Sequence, residues 1–124
     1  LSLLEGRSDV DGLTAAHGNP DSRGEIVRAY RESLGCYSDP PHSWSASRTQ
    51  LSEGTNQGFV GIHEERAGPA EARRVMGYFT RNDIPIHYSL ADEFALCERW
   101  FSSVLGPTWP NRSSFAARRA SGGR

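Results

Sequence analysis

The segment Trp100-Phe-Ser-Ser-Val-Leu-Gly-Pro-Thr-Trp-Pro-Asn-Arg112 restricts the backbone more than any other stretch of this chain. Gly106-Pro107 breaks a strand, because proline has no N–H to give a ladder. Pro110 suits a helix only in the first turn, where its missing N–H would have had no partner. The aromatic and β-branched run Trp100–Leu105 ahead of the break reads as a buried strand. The segment thus predicts a strand, a sharp turn and a helix starting beside Thr108. A helix start leaves backbone N–H groups unpaired and carries partial positive charge, which favours phosphate. A hydroxyl held there, with Asn111 and Arg112 close by, suits attack on phosphorus. Thr-x-Pro is also an ordinary helix start with threonine as the cap or its neighbour, and spacing alone does not separate the two readings.

Thirteen glycines and seven prolines among 124 residues, with an apolar fraction of 36%, indicate a loop-rich piece with a small core. A formal net charge of −1 gives no electrostatic case for nucleic acid or an anionic membrane. Every basic residue apart from histidine is Arg, which excludes a P-loop lysine and a lysine Schiff base. No run approaches the roughly 20 apolar residues that cross a bilayer. Leu1-Ser-Leu-Leu4 is too short, and lacks the basic flank, for a signal peptide. Cys36 and Cys97 have no metal-ligand spacing. They form one disulfide or stay as two thiols, and burial is the expectation for free cysteine. Nothing in the sequence sets an oligomeric state. With Met76 as its one methionine, the chain reads as an excerpt.

Glu25–Leu34 has apolar residues at 26, 27, 30 and 34, a helical period. Asn19–Gly24 reads as loop, and Leu51–Ile62 as a turn feeding a segment that docks on the core. His63–Pro69 reads as an exposed linker, with Glu64 and Glu65 too divergent to form a carboxylate pair. Pro69–Phe79 reads as a helical turn running into Val-Met-Gly-Tyr. Ile86, Leu90, Phe94, Cys97 and Phe101 form one stripe on a helix over 83–99, capped by Asn82 or Asp83. That stripe is expected to be buried, so that Phe94→Asp would unfold the unit. Asp39-Pro-Pro-His-Ser-Trp44 presents His42 in a proline-stiffened loop; a lone loop histidine is ordinarily a surface or hydrogen-bonded one. His17, His63 and His87 fit no catalytic position, and His87 reads as a packing residue.

Four ordered blocks carry a resemblance: Asp39–Trp44, Val75-Met-Gly-Tyr78, Ile84–Cys97 and Phe101–Arg112. Together they resemble the bacterial phosphoesterase family that holds non-specific phospholipase C and the related acid phosphatases, within the alkaline-phosphatase-like superfamily. The resemblance implies an α/β fold, a sheet sandwiched by helices, of which residues 1–124 would be a partial catalytic domain. It implies Thr108 as nucleophile and as ligand to a divalent metal ion, with His42 facing the substrate phosphate or leaving group. Asn111 and Arg112 would bind substrate, although Asn111 could instead cap the turn and Arg112 could pair with a carboxylate. The remaining metal ligands, an early Glu-Asn pair and a later Asp-Glu pair, match nothing here. The substrate would be a phospholipid or small phosphate ester, and the location secreted or cell-envelope. A sulfatase needs Cys or Ser at position 108, which is Thr. After Arg112 the sequence departs from the family, being small and basic where relatives are apolar. That departure supports the alternative of a degenerate relative that at most binds phosphate esters. Asn111-Arg-Ser113 also fits a glycosylation sequon.

Overall fold

The computed structural model describes residues 10–14, 16–32 and 35–120, the last three by backbone only. The sequence expectations for Leu1–Leu4, Leu34 and the terminal loop Ser121–Arg124 lie outside the described residues.

Asp21 organises the first unit. Its Oδ1 accepts the N–H groups of Arg23 and Glu25, both at 2.9 Å, and Gly24 takes φ +84°. A short polar side chain bonding the backbone two residues on is the usual way Asp makes a turn. The turn joins β1 (Gly18–Pro20) to β2 (Ile26–Arg28) as an antiparallel pair with Asn19 opposite Val27. β3 (Tyr30–Arg31) then pairs in parallel with β4 (Gly77–Tyr78). Glu25–Arg31 is therefore extended rather than helical. Its apolar residues at 26, 27 and 30 suit either period, and the Asp21 turn with strand pairing decides for the strand.

Ser43 starts α1 (Trp44–Leu51) by accepting the Ala46 N–H at 3.2 Å. Left-handed Ser52 ends it, and a 3-10 turn over Ser52–Gly54 leads to α2 (Phe59–Ala67). Gly58 at the α2 N-cap has no side chain to bond the first turn. Buried Asn19 of β1 does so instead. Its Oδ1 accepts from Val60 N–H at 3.0 Å, and its Nδ2 donates to the Asn56 carbonyl at 2.7 Å. α3 (Pro69–Ala72) and a 3-10 turn (Arg73–Met76) then run into β4, as the sequence predicts for Pro69–Phe79. The core is small: Ala46, Val60, Ala72 and Tyr88, with Asn19 and His63 as its polar members. His63 lies fully buried on α2, so His63–Pro69 is not an exposed linker but mostly the second half of a helix.

α4 covers Pro85–Glu93, and only Tyr88 on it is buried. The 83–99 helix is thus shorter than expected, ending where Phe94 turns extended (φ −123°, ψ 165°). Its N-cap is Ile84 rather than Asn82 or Asp83, and no side chain bonds it. The stripe Ile86, Leu90, Phe94 and Phe101 faces solvent, Phe101 being 81% exposed, and His87 is exposed with it. The run Trp100–Leu105 is irregular, with bends only from Ser103 on, and not a buried strand, because a strand needs a neighbour to pair with and none of the four described strands pairs with it. Cys36 and Cys97 are both free and exposed, not buried. α5 (Thr108–Ala120) closes the chain. Among the described residues, three short strands, a run of helices, a fourth strand and two further helices make a mixed arrangement of helix and strand, consistent with α/β. No helix among the described residues is long and apolar enough to cross a membrane.

Candidate active site

The turn before α5 is held by one side chain. Asn111 Oδ1 accepts the Val104 N–H at 3.0 Å, while Nδ2 faces the carbonyls of Val104, Pro107 and Gly106 at 3.1, 3.2 and 3.4 Å. An amide one turn into the helix thereby ties down the loop that leads into it, and Thr108 becomes the first helical residue. The amides of Thr108 and Trp109 precede the first residue that can bond back within the helix, and Pro110 has no N–H. Thr108 is exposed and shares a cleft of about 460 Å³ with Ser102, Gly106, Asn111, Arg112 and Phe115. A second cleft, of about 350 Å³, shares Ser102, Asn111 and Phe115 with the first and adds Arg99, Trp100, Phe101 and Ser103.

Arg112 stands 5.7 Å over the Trp109 ring, a cation–π distance. No carboxylate among the described residues pairs with it, so its guanidinium is available to an anion. Asn111 makes the bonds that hold the turn.

His42 comes from the loop before α1. Its Nδ1 lies 3.1 Å from the Pro40 carbonyl and 3.4 Å from an Asp39 carboxylate oxygen, and the ring is largely exposed. Two residues on, the Trp44 ring rests on the Gly106 backbone so closely that a Cβ at 106 would come within 2.6 Å of it. This contact brings the Asp39–Trp44 block against the turn that presents Thr108. Both blocks are legible in the sequence but their meeting is not; its signal is a lone glycine ahead of the turn proline, which permits an aromatic ring to approach the backbone.

The model of the phosphoesterase family matches residues 6–123. The chain belongs to the phosphoesterase family. Phospholipase C B of Mycobacterium tuberculosis is 35% identical over 106 residues, which are 84% of this chain and 19% of that protein. Hemolytic phospholipase C of Pseudomonas aeruginosa is 40% identical over 79 residues, covering 64% and 10%. Non-specific phospholipase C1 of Arabidopsis thaliana is 33% identical over 122 residues, covering 89% and 22%. The chain thus spans about a fifth of the length of the curated relatives it matches most fully. No solved structure matches it.

A metal centre in this phosphoesterase chain can be tested against the donors on hand. Among the described residues no three His, Cys, Asp or Glu side chains gather to hold an ion. The Thr108 cleft is lined by hydroxyls, an amide, a guanidinium and a phenyl ring, with no carboxylate. A hard divalent cation takes six or so oxygen ligands, carboxylates chief among them. One threonine oxygen beside a guanidinium does not fit that requirement.

Proposed function

We propose that residues 1–124 form the nucleophile-bearing part of a phosphate-ester hydrolase with phospholipase C-like chemistry, in an alkaline-phosphatase-like α/β domain. Membership of the phosphoesterase family supports the reaction class. The observation that carries the reading is Thr108 as the first residue of α5, in a cleft shared with Arg112, with which no carboxylate among the described residues pairs.

In this reading Thr108 Oγ attacks phosphorus in line and loses its proton to solvent. The bond from phosphorus to the alcohol oxygen breaks, and His42 gives that oxygen a proton. Water then cleaves the phosphothreonine, restoring the hydroxyl and releasing the phosphate product. The free N–H groups of the first α5 turn and the Arg112 fork meet charge developing on the non-bridging oxygens. A neutral threonine hydroxyl is a weak nucleophile. Family resemblance implies a divalent cation as its activator, and no three metal-ligating side chains among the described residues gather to hold one. The proposed substrate is a phospholipid or small phosphate ester, and the name phospholipase C borne by the relatives supports the first.

The test is hydrolysis of a chromogenic phosphorylcholine ester by the protein expressed from its natural reading frame. Thr108→Ala is expected to lower kcat by about 10³-fold or more, and Thr108→Ser to retain turnover. Acid quenching should trap phosphorylcholine on the peptide containing residue 108. Undiminished turnover by Thr108→Ala overturns the assignment. The 124 residues alone are expected to show no turnover.

A further inference from the structure

We infer that Asn111 is the positioning residue of the nucleophile turn and not a ligand of the phosphate. The inference rests on Thr108 being the nucleophile. A side-chain amide has two N–H donors and one acceptor oxygen. Nδ2 of Asn111 faces three loop carbonyls within 3.4 Å, acceptors enough for both of its hydrogens, and Oδ1 takes the Val104 N–H. No donor is left over for a phosphate oxygen while the turn keeps this shape.

The three carbonyls belong to residues 104, 106 and 107, which end at the peptide bond to Thr108. One side chain therefore sets the backbone on both sides of Gly106 and delivers Thr108 to its place in α5. Pro107 and Pro110 cannot help through N–H bonds, since neither has one. Gly106 lacks the Cβ that would restrict its torsions. The two prolines fix only their own φ, and the Asn111 bonds tie the rest of the turn to the helix. Phosphate recognition then falls to the free N–H groups of Thr108 and Trp109 and to Arg112, whose guanidinium has no carboxylate partner among the described residues.

A ligand and a positioning residue differ in what their removal changes. Loss of a ligand weakens phosphate binding. Loss of a positioning residue leaves binding and spoils attack, since a nucleophile misplaced by about 1 Å costs on the order of 100-fold in rate.

The experiment uses the protein from its natural reading frame, with Asn111→Ala and Asn111→Ser. For each, kcat, KM and the inhibition constant of inorganic phosphate are measured, together with hydrogen exchange at the Val104 amide. The expected result is a fall in kcat of about 100-fold, KM and phosphate inhibition within about twofold of wild type, and faster exchange at Val104. A rise in KM and weaker phosphate inhibition, with Val104 exchange unchanged, overturns the inference. Wild-type protein supplies a second measurement should neither variant fold. The Asn111 side-chain amide resonances should hold their positions as inorganic phosphate is titrated in, and a saturable shift of those resonances overturns the inference. The Thr108 reading fails separately: Thr108→Ala would then keep full turnover, while the Val104 exchange result would still report the clamp.

Discussion

Asp83 sits where donors from two segments converge. Arg31 reaches it at 3.1 and 3.4 Å, and Thr80 gives it both its N–H at 2.7 Å and its hydroxyl at 2.6 Å. The Arg31 guanidinium above all, then the Thr80 donors, hold the Asp83 carboxyl well below the usual carboxylate range. A carboxyl whose pKa is lower folded than unfolded adds stability above its unfolded value, near 4, and loses it as pH falls toward the folded value. Thermal midpoints of wild type should therefore drop between about pH 5 and pH 2, and Asp83→Asn should flatten that acid limb while lowering the midpoint at pH 7. Equal acid limbs in the two proteins would contradict the linkage. His63 is the opposite case. It is fully buried on α2, and neither ring nitrogen has a hydrogen-bond partner among the described residues. An unsatisfied buried polar group costs about 1–3 kcal/mol, so His63→Leu, similar in volume, should stabilise by an amount in that range. Urea denaturation measures it, and a lower midpoint would show that the imidazole is contributing what its surroundings do not reveal.

At the scale of elements, α1 and α2 pack through a glycine. A Cβ on Gly58 would be driven into the Thr49 carbonyl of α1. Gly58 has φ −99°, which any residue can adopt, so the requirement is space rather than torsion. Gly58→Ala should destabilise by about 1–3 kcal/mol, the usual cost of overpacking, read as an earlier urea midpoint. α4 predicts the reverse. Phe94 is 69% exposed, so Phe94→Asp should change stability by less than about 0.5 kcal/mol, as surface substitutions do. The unfolding that its periodicity suggests is not expected.

These elements also mark what the sequence made readable. The start of α5 was legible because Gly-Pro and a first-turn Pro each restrict local backbone. The helical turn from Pro69 was legible for the same reason. Apolar period misled at Glu25–Arg31 and on the α4 stripe, because period describes a face and not what covers it. Asn111 was recognised as a site residue, with its two roles left open. Its bonds reach back as far as Val104, and that reach depends on the loop's path rather than on any spacing.

For the molecule as a whole, the contact between Trp44 and Gly106 links the front of the chain to its last helix. Asp11 adds a lighter tie, its N–H bonding Glu98 and its carboxylate lying 3.4 Å from Arg99. Both of these ties are exposed, and exposed ion pairs contribute little. The Trp44 contact differs because it couples position: the ring sits two residues after His42, and Gly106 two residues before Thr108. Under the proposed mechanism, the donor of the leaving-group proton and the nucleophile thus keep their relation through one ring lying on one glycine. Gly106→Ala places a methyl within 2.6 Å of that ring, so the ring must shift. The outcome should be a displaced Trp44 with the helices intact, because the ring is 45% exposed and belongs to no buried core. With Trp100 and Trp109 replaced by Phe, Trp44 is left as the sole indole, and its fluorescence quenching by acrylamide should rise in the Gly106→Ala variant. In the protein from its natural reading frame, the same substitution should lower kcat by about 10–100-fold through misalignment, with far-UV circular dichroism unchanged. Unchanged quenching would mean that the ring does not rest on Gly106 in solution, and the link between the two blocks would then have to be sought elsewhere. Greater quenching with full turnover would instead remove His42 from the reaction while leaving Thr108 in place.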